Sequence, residues 1–548
     1  MDFLFQIFLF IQQFFADLIL PGQPFCLFGC PGRCLLCFFY FFTKNAFLFF
    51  VCRFLFDCAC NCLAVCFHLL YLLCGIRFFL FRPCKFHLRI RETFFPCFLL
   101  FQDFFCTLLL CLKLFFCFFA AAFLLAAVIA PDRAQIFAGM EQILSQPCKV
   151  PTNYFAVAGY SATFFNMGLV CLMCFGLYLA FRAELNNTAT MAIILTTGFG
   201  SWGINIQNIW PTIWGTMLFC IVKRKPMREY VSTMLFTTGI APLITDLLIR
   251  HPFDSVVGYS GKGLLLAIAV GVVSGFFVPA GLSHSPSVHK GYNLYNAALP
   301  VGMGAFILQA LLFNTLGLAL PSAPHANTLK IASRLGANCF CGILFGLAIL
   351  AALAMGCTPK KYWALISSKK RSPSITGGFG NDVFLMNFGV FGLFILGYYN
   401  LVGASFNGAT FGVMFCMLST CNSGSHPLNA WPMLLGYMVA SPLMHWLSRL
   451  VGGHFTYVIN TQSILIGACY SNGMTPIVDK YGPGLGFLAG ILHFLLVTSV
   501  PLLHGGYCLY NGGLTAAFIC LILMPTAEEL LPTREQRRLR KAEKAAKK

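Results

Sequence analysis

The stretch HKGYNLYNAAL at 289–299 returns as HGGYCLYNGGL at 504–514, and this recurrence decides how the chain is organised. Two further blocks recur with it. NIWPTIWG at 208–215 returns as NAWPMLLG at 429–436, and GIAPLI at 239–244 returns as GMTPIV at 473–478. The three pairs keep the same order, at offsets of 215, 221 and 234. Three ordered matches mark an internal duplication, where a single match would be within reach of chance. A weaker fourth pairing sets Phe165-Asn166 against Phe406-Asn407, with other registers there nearly as good.

Around these blocks the chain is apolar. Of 548 residues, 58% are hydrophobic and only 10% charged, against about 25% charged in a soluble domain. Apolar runs of roughly 17–25 residues recur, each enough to cross a hydrocarbon core as helix. Backbone amides in lipid must be bonded inside the segment, and the polar/apolar alternation of a barrel wall is missing. The expected fold is therefore all-α integral membrane, with about 11–13 transmembrane helices in two repeats. One of these spans, 189–222, is broken at the glycine-rich GFGSWG.

The formal charge of +19 does not point to nucleic acid, because the basic residues sit beside apolar runs. Lys223, Arg224, Lys225 and Arg228 follow one run. Lys360, Lys361, Lys369, Lys370 and Arg371 follow another, and Arg534, Arg537, Arg538, Arg540, Lys541, Lys544, Lys547 and Lys548 crowd the tail. Such clusters mark cytoplasmic loops. An even number of spans separates successive clusters. The second-half equivalent of the 223–228 loop, near 443–449, falls on the opposite face and carries only Arg449. The repeats are thus read as inverted in topology, an architecture that puts a solute path at the repeat interface. The tail is a solvated basic helix, a topology determinant with anionic lipid contact as the functional alternative.

The expected organisation is an anomalous segment 1–110, a first membrane repeat 111–320, a connecting helix with a basic linker 321–382, a second membrane repeat 383–526, and a basic cytoplasmic tail 527–548. Residues 1–120 hold 32 of the 61 Phe and 15 of the 27 Cys. That bias reads as an over-extended reading frame, with a genuine Cys-rich membrane segment or metal site as the rival. Cys34 and Cys37 form one C-x-x-C without a second pair. Later cysteines sit in apolar runs as small hydrophobes. No metal or other cofactor is expected.

The duplicated polar residues are the candidates for a solute path. Asn166, Asn208, Asn407 and Asn429 are costly in lipid unless bonded. Asn208 and Asn429 precede Trp210 and Trp431 in Asn-x-Trp-Pro, where helix capping is the competing role. Tyr292 with Asn296, and Tyr507 with Asn511, are four residues apart and share one helix face; interhelical packing beside small residues is the alternative. Asp246 and Asp479, one position apart in the aligned blocks, are candidates for ion or proton coupling, as are the matched His289 and His504. Each also reads as a boundary residue, Asp246 and Asp479 being near Arg250 and Lys480.

The blocks NYFAVAGYSATFFNMGLV, NIWP, GHFTYVIN, GMTPIVDKYGPGLGFLAGILH and HGGYCLYNGGLTAAF resemble an uncharacterised family of bacterial multi-pass membrane proteins, over roughly residues 115–530. The resemblance implies a bacterial plasma (inner) membrane location and no assigned activity. A fainter similarity is to urea transporters, carried by Gly291-Tyr292-Asn293 and Leu299 with Gly302. The second half departs from it at Cys508. By analogy this supports the architecture and no particular substrate. The leading function is a transporter or channel for a small polar solute, working in the lipid bilayer. A membrane-embedded enzyme is disfavoured for want of a G-x-S-x-G or H-E-x-x-H motif. A non-transporting scaffold or sensor lacks a large output domain. Homo-oligomerisation is left open.

Overall fold

The computed structural model describes residues 112–145, 152–249, 258–317, 333–368 and 374–546. The Phe/Cys-rich segment 1–110 lies outside the described residues. In the first half, α1 (Leu112–Ile129) and the short α2 (Ile136–Ser145) lead into α3 (Tyr154–Ala180). The chain continues as α4 (Asn187–Phe199) and α5 (Trp210–Val222). Then come α6 (Val231–Thr237) with α7 (Ala241–Ile249), α8 (Gly261–Val288) and α9 (Ala298–Gln309). The second half runs α10 (Arg334–Ala354), α11 (Pro359–Ile366), α12 (Asn381–Leu401), α13 (Gly408–Leu418) and α14 (Pro427–Leu450). It ends with α15 (Gln462–Ser471) and α16 (Thr475–Tyr481), α17 (Pro483–Val497), α18 (Asn511–Leu530) and the tail helix α19 (Arg534–Ala546).

Among the described residues, eight helices are long and apolar enough to cross a membrane. Their outer faces carry exposed apolar side chains such as Phe277, Ile307, Ile343 and Ile522, the arrangement a lipid-facing surface requires. The span expected at 189–222 is two helices, α4 and α5, joined by a largely buried irregular segment at 200–209.

Local signals repeat between the halves. The Asn186 side chain accepts the Ala189 N–H at 2.9 Å and caps α4; Asn407 accepts the Thr410 N–H at 3.0 Å and caps α13. The register that pairs Trp210 with Trp431 also pairs these two caps, and it pairs Asn166 with Asn387. Setting Asn166 against Asn407 is therefore the wrong register. Asn166 Nδ2 donates to the carbonyls of Gly200 (2.7 Å) and Ile204 (2.8 Å), and Asn387 Nδ2 donates to those of Cys421 and Ser425 (both 2.9 Å). Each amide satisfies two carbonyls where the following helix has ended inside the protein, a place where unpaired backbone groups are costly.

The duplication begins earlier than the matched blocks indicate. A Cβ placed on Gly168 of α3 would lie 2.6 Å from Leu124 of α1, and one on Gly389 of α12 would lie 2.5 Å from Ile349 of α10. Helix α10 therefore holds the place in the second half that α1 holds in the first. The stretch read as a connecting helix inside 321–382 is the opening helix of a repeat. The matched blocks could not reveal this, because the α1 and α10 contacts are apolar and carry no distinctive sequence.

The halves meet through counterpart elements. Ser201 Oγ donates to the Gly408 carbonyl at 2.7 Å, and Asn422 Nδ2 donates to Thr190 Oγ1 at 3.2 Å. Residue numbers fall along α4 as they rise along α13, so these counterpart helices run antiparallel. A Cβ on Gly412 would lie 2.2 Å from the Gly198 carbonyl oxygen, so only glycine permits the crossing. Two reciprocal backbone bonds complete the seam. The Leu294 N–H donates to Gly473 O at 2.9 Å, and its counterpart Leu509 N–H donates to Gly239 O at 2.8 Å.

Candidate functional site

A cavity of about 510 Å³ lies at this seam. The first half supplies Asn187, Thr188 and Met191 from the start of α4, Phe236 from α6, and Leu294, Tyr295 and Asn296 from the 289–297 segment; the second half supplies Ser423 and Tyr510. Among the described residues, no charged side chain lines it. The Tyr295 hydroxyl donates to the Cys416 carbonyl at 2.9 Å. The Tyr510 side chain is buried, and its hydroxyl has no hydrogen-bond partner among the described residues. A buried, unpaired hydroxyl costs about 1–3 kcal/mol, so it is a position where a ligand hydrogen bond is favourable. Thr188 and Asn296 are exposed and form the mouth. That end of the molecule also carries the 223–230 loop, tied there by the Tyr178–Ser232 hydroxyl pair at 2.6 Å.

The equivalent place in the other half is closed. The counterpart of Asn296 is Asn511, which donates to Val497 O and meets His504 Nε2 at 3.2 Å. Thr188 is replaced by the buried Ala409, Phe236 by Tyr470, and Ser423 by the buried Trp202. A Cβ on Gly512 would lie 2.4 Å from Tyr470 Cβ. One sequence motif, used twice, thus lines an open cavity in one half and a packed seal in the other.

The remaining sequence candidates divide by role. Asn208 Nδ2 donates to Gly203 O (2.9 Å) and Thr245 Oγ1 (2.8 Å), and Asn429 Nδ2 donates to Gly424 O (2.9 Å) and reaches both Asp479 oxygens (3.3 Å). With Asn166 and the cap Asn407, these amides hold backbone breaks together and do not line the cavity. Trp210 Nε1 donates to Ile206 O at 2.8 Å, and Trp431 is exposed on the periphery. His289 and His504 each accept, at Nδ1, the N–H four residues on, at 3.4 Å and 3.3 Å.

Tyr292 and Tyr507 stand at related positions with opposite charges beside them. The Tyr507 hydroxyl donates to the buried Asp246 carboxylate at 3.0 Å, and the Tyr507 ring stacks on Phe313. Tyr292 contacts Lys480, the counterpart of Asp246, and donates to Glu528 Oε1 at 3.2 Å; Lys290 pairs with the same carboxylate. Asp479 is the counterpart of Thr245, not of Asp246. Among the described residues no His, Cys, Asp or Glu group is disposed to hold a metal ion, and the cysteines are mostly buried.

Residues 132–314 and 365–529 match the family described as Protein of unknown function (DUF1576). The chain belongs to this family. The two matched stretches fall one in each half of the fold. No curated protein and no solved structure matches the chain. Of the residues that line the cavity in this family member, Asn296 alone was among the sequence candidates. Tyr295 and Tyr510 lie in the same matched block, three residues on from Tyr292 and Tyr507. Their repetition was a usable signal, but periodicity did not say which tyrosine of each pair faces the seam. Residues 290–297 and 504–510 are irregular, so Tyr292 with Asn296, and Tyr507 with Asn511, do not share a helix face as the spacing suggested.

Proposed function

We propose that this DUF1576 protein carries a small, uncharged polar solute across a membrane, with the cavity between its halves as the solute site. The observation that carries the reading is the one-sided opening: related residues line a cavity at one end of the seam and are packed shut at the other. A carrier that exposes its site to one side at a time has this asymmetry, and inverted repeats generate it when counterparts exchange conformations. The antiparallel α4–α13 crossing supports opposite insertion of the two halves. The neutral lining of amides, hydroxyls and tyrosines suits a solute held by hydrogen bonds. By the positive-inside rule, this reading puts the open mouth and the tail on the cytoplasmic side of a bacterial inner membrane, and the basic residues of the 223–228 loop and of the tail support it.

The test is solute flux in proteoliposomes across a panel of neutral and charged metabolites. Neutral polar solutes should equilibrate faster than in protein-free vesicles, and Tyr510→Phe and Asn296→Ala should each lower that rate. Flux equal to that of empty vesicles for every solute, or unchanged flux in both variants, refutes the proposal.

A further inference from the structure

We infer that the basic face of α19 and the start of α17 form a binding site for an anionic phospholipid. This site lies apart from the solute cavity, and its fate does not depend on the transport reading. A second cavity, of about 840 Å³, is lined by Arg534, Arg537, Arg538 and Lys541 on one side and by residues 481–485, Leu488 and Leu531 on the other. The four cations are spaced at i, i+3, i+4 and i+7, so they share one face of the tail helix. Among the described residues, no acidic side chain lines the cavity. The Arg537 guanidinium donates to the Tyr481 carbonyl, which docks the tail against α16. The Arg534 and Arg537 guanidinium groups converge over Gly482, at 3.2 Å and 3.4 Å from where its Cβ would be.

The apolar wall selects the lipid over a free anion. Leu488 and Leu531 are exposed beside the cations, and Leu495 continues the exposed apolar strip down α17. Acyl chains would lie along this strip while the phosphate meets the guanidinium groups, whose planar forks suit phosphate oxygens. Basic residues beside a membrane-spanning helix attract anionic lipid electrostatically, an effect confined to within a Debye length of the surface.

The full-length protein is placed in nanodiscs of phosphatidylcholine with and without phosphatidylglycerol. Lipid retained after mild detergent release is read by native mass spectrometry. Wild type should retain phosphatidylglycerol in preference to phosphatidylcholine, and excess inorganic phosphate should not displace it. The double variant Arg538→Gln/Lys541→Gln keeps the Arg537–Tyr481 contact and so leaves the tail docked. It should retain about ten-fold less, since each basic residue near the surface contributes substantially. The variant Lys223→Gln/Arg224→Gln/Lys225→Gln/Arg228→Gln removes charge from the same end of the molecule and should retain lipid as wild type does. Equal retention by the double variant, equal loss in the 223–228 control, or displacement by inorganic phosphate each overturns the proposal.

Discussion

Substituting Gly412 by alanine tests whether the crossing of α4 and α13 holds the halves together. The added Cβ would lie 2.2 Å from the Gly198 carbonyl oxygen, 2.4 Å from Ser201 Oγ and 2.7 Å from Trp202 Cδ1, where ordinary contact begins at 3.4 Å. The carbonyl is helix backbone and the indole is buried, so neither can turn away. Relief requires the helices to separate by about 1 Å, an overpacking cost of roughly 1–3 kcal/mol. The Ser201–Gly408 bond at 2.7 Å spans the same crossing, and losing it adds about 1 kcal/mol. The sum, about 2–4 kcal/mol, lowers the folded-to-unfolded ratio by roughly thirty-fold to several hundred-fold. Thermal unfolding in detergent can be followed with a thiol-reactive dye, because Cys171, Cys174 and Cys416 are buried until the bundle opens. Gly304→Ala is the control, because no atom of the described residues lies within 4 Å of its Cβ position; it should be neutral or slightly stabilising, as alanine is the better helix former. If Gly412→Ala unfolds at the same temperature as Gly304→Ala, the close crossing is not the seam of this protein.

Three further outcomes are expected. Asn407→Ala should destabilise more than Asn186→Ala, each losing a helix cap worth about 1 kcal/mol, because Asn407 also donates to Gln462 Oε1 at 2.5 Å; equal unfolding temperatures contradict this. In a background with all native cysteines replaced by serine or alanine, single cysteines at Lys225 and Trp446 should react with an impermeant maleimide from opposite faces of sealed vesicles, and labelling from one face refutes inverted insertion. In gradient-driven uptake, Asp246→Asn should lower the rate while Asp479→Asn leaves it unchanged, since a carboxamide oxygen can still accept the Asn429 bond; if both variants take up solute normally, no coupling runs through Asp246.

The amino-acid sequence by itself determined the membrane class, the helical architecture and the existence of a duplication. Hydropathy and charge are local properties, and identical short blocks survive in order only when whole segments are copied. The same locality misled where a residue type was ambiguous. Asn166 could be set against Asn407 because both are Phe-Asn pairs, although the offset of the Trp-Pro blocks leads to Asn387; their bonds, one to helix-break carbonyls and one to a helix N-terminus, separate the roles. Helix α10 passed for a connector because its apolar contacts with α12 leave no motif. Most of the duplicated polar residues that looked like a solute path turned out to satisfy backbone inside the protein, because a broken helix and a binding site call for the same amides. Which copy of the Tyr-Asn motif opens onto a cavity and which is sealed was decided only by tertiary structure. That difference arises from what packs against each copy across the seam — Thr188 and Ser423 at one, Ala409 and Trp202 at the other — and those neighbours lie far away along the chain.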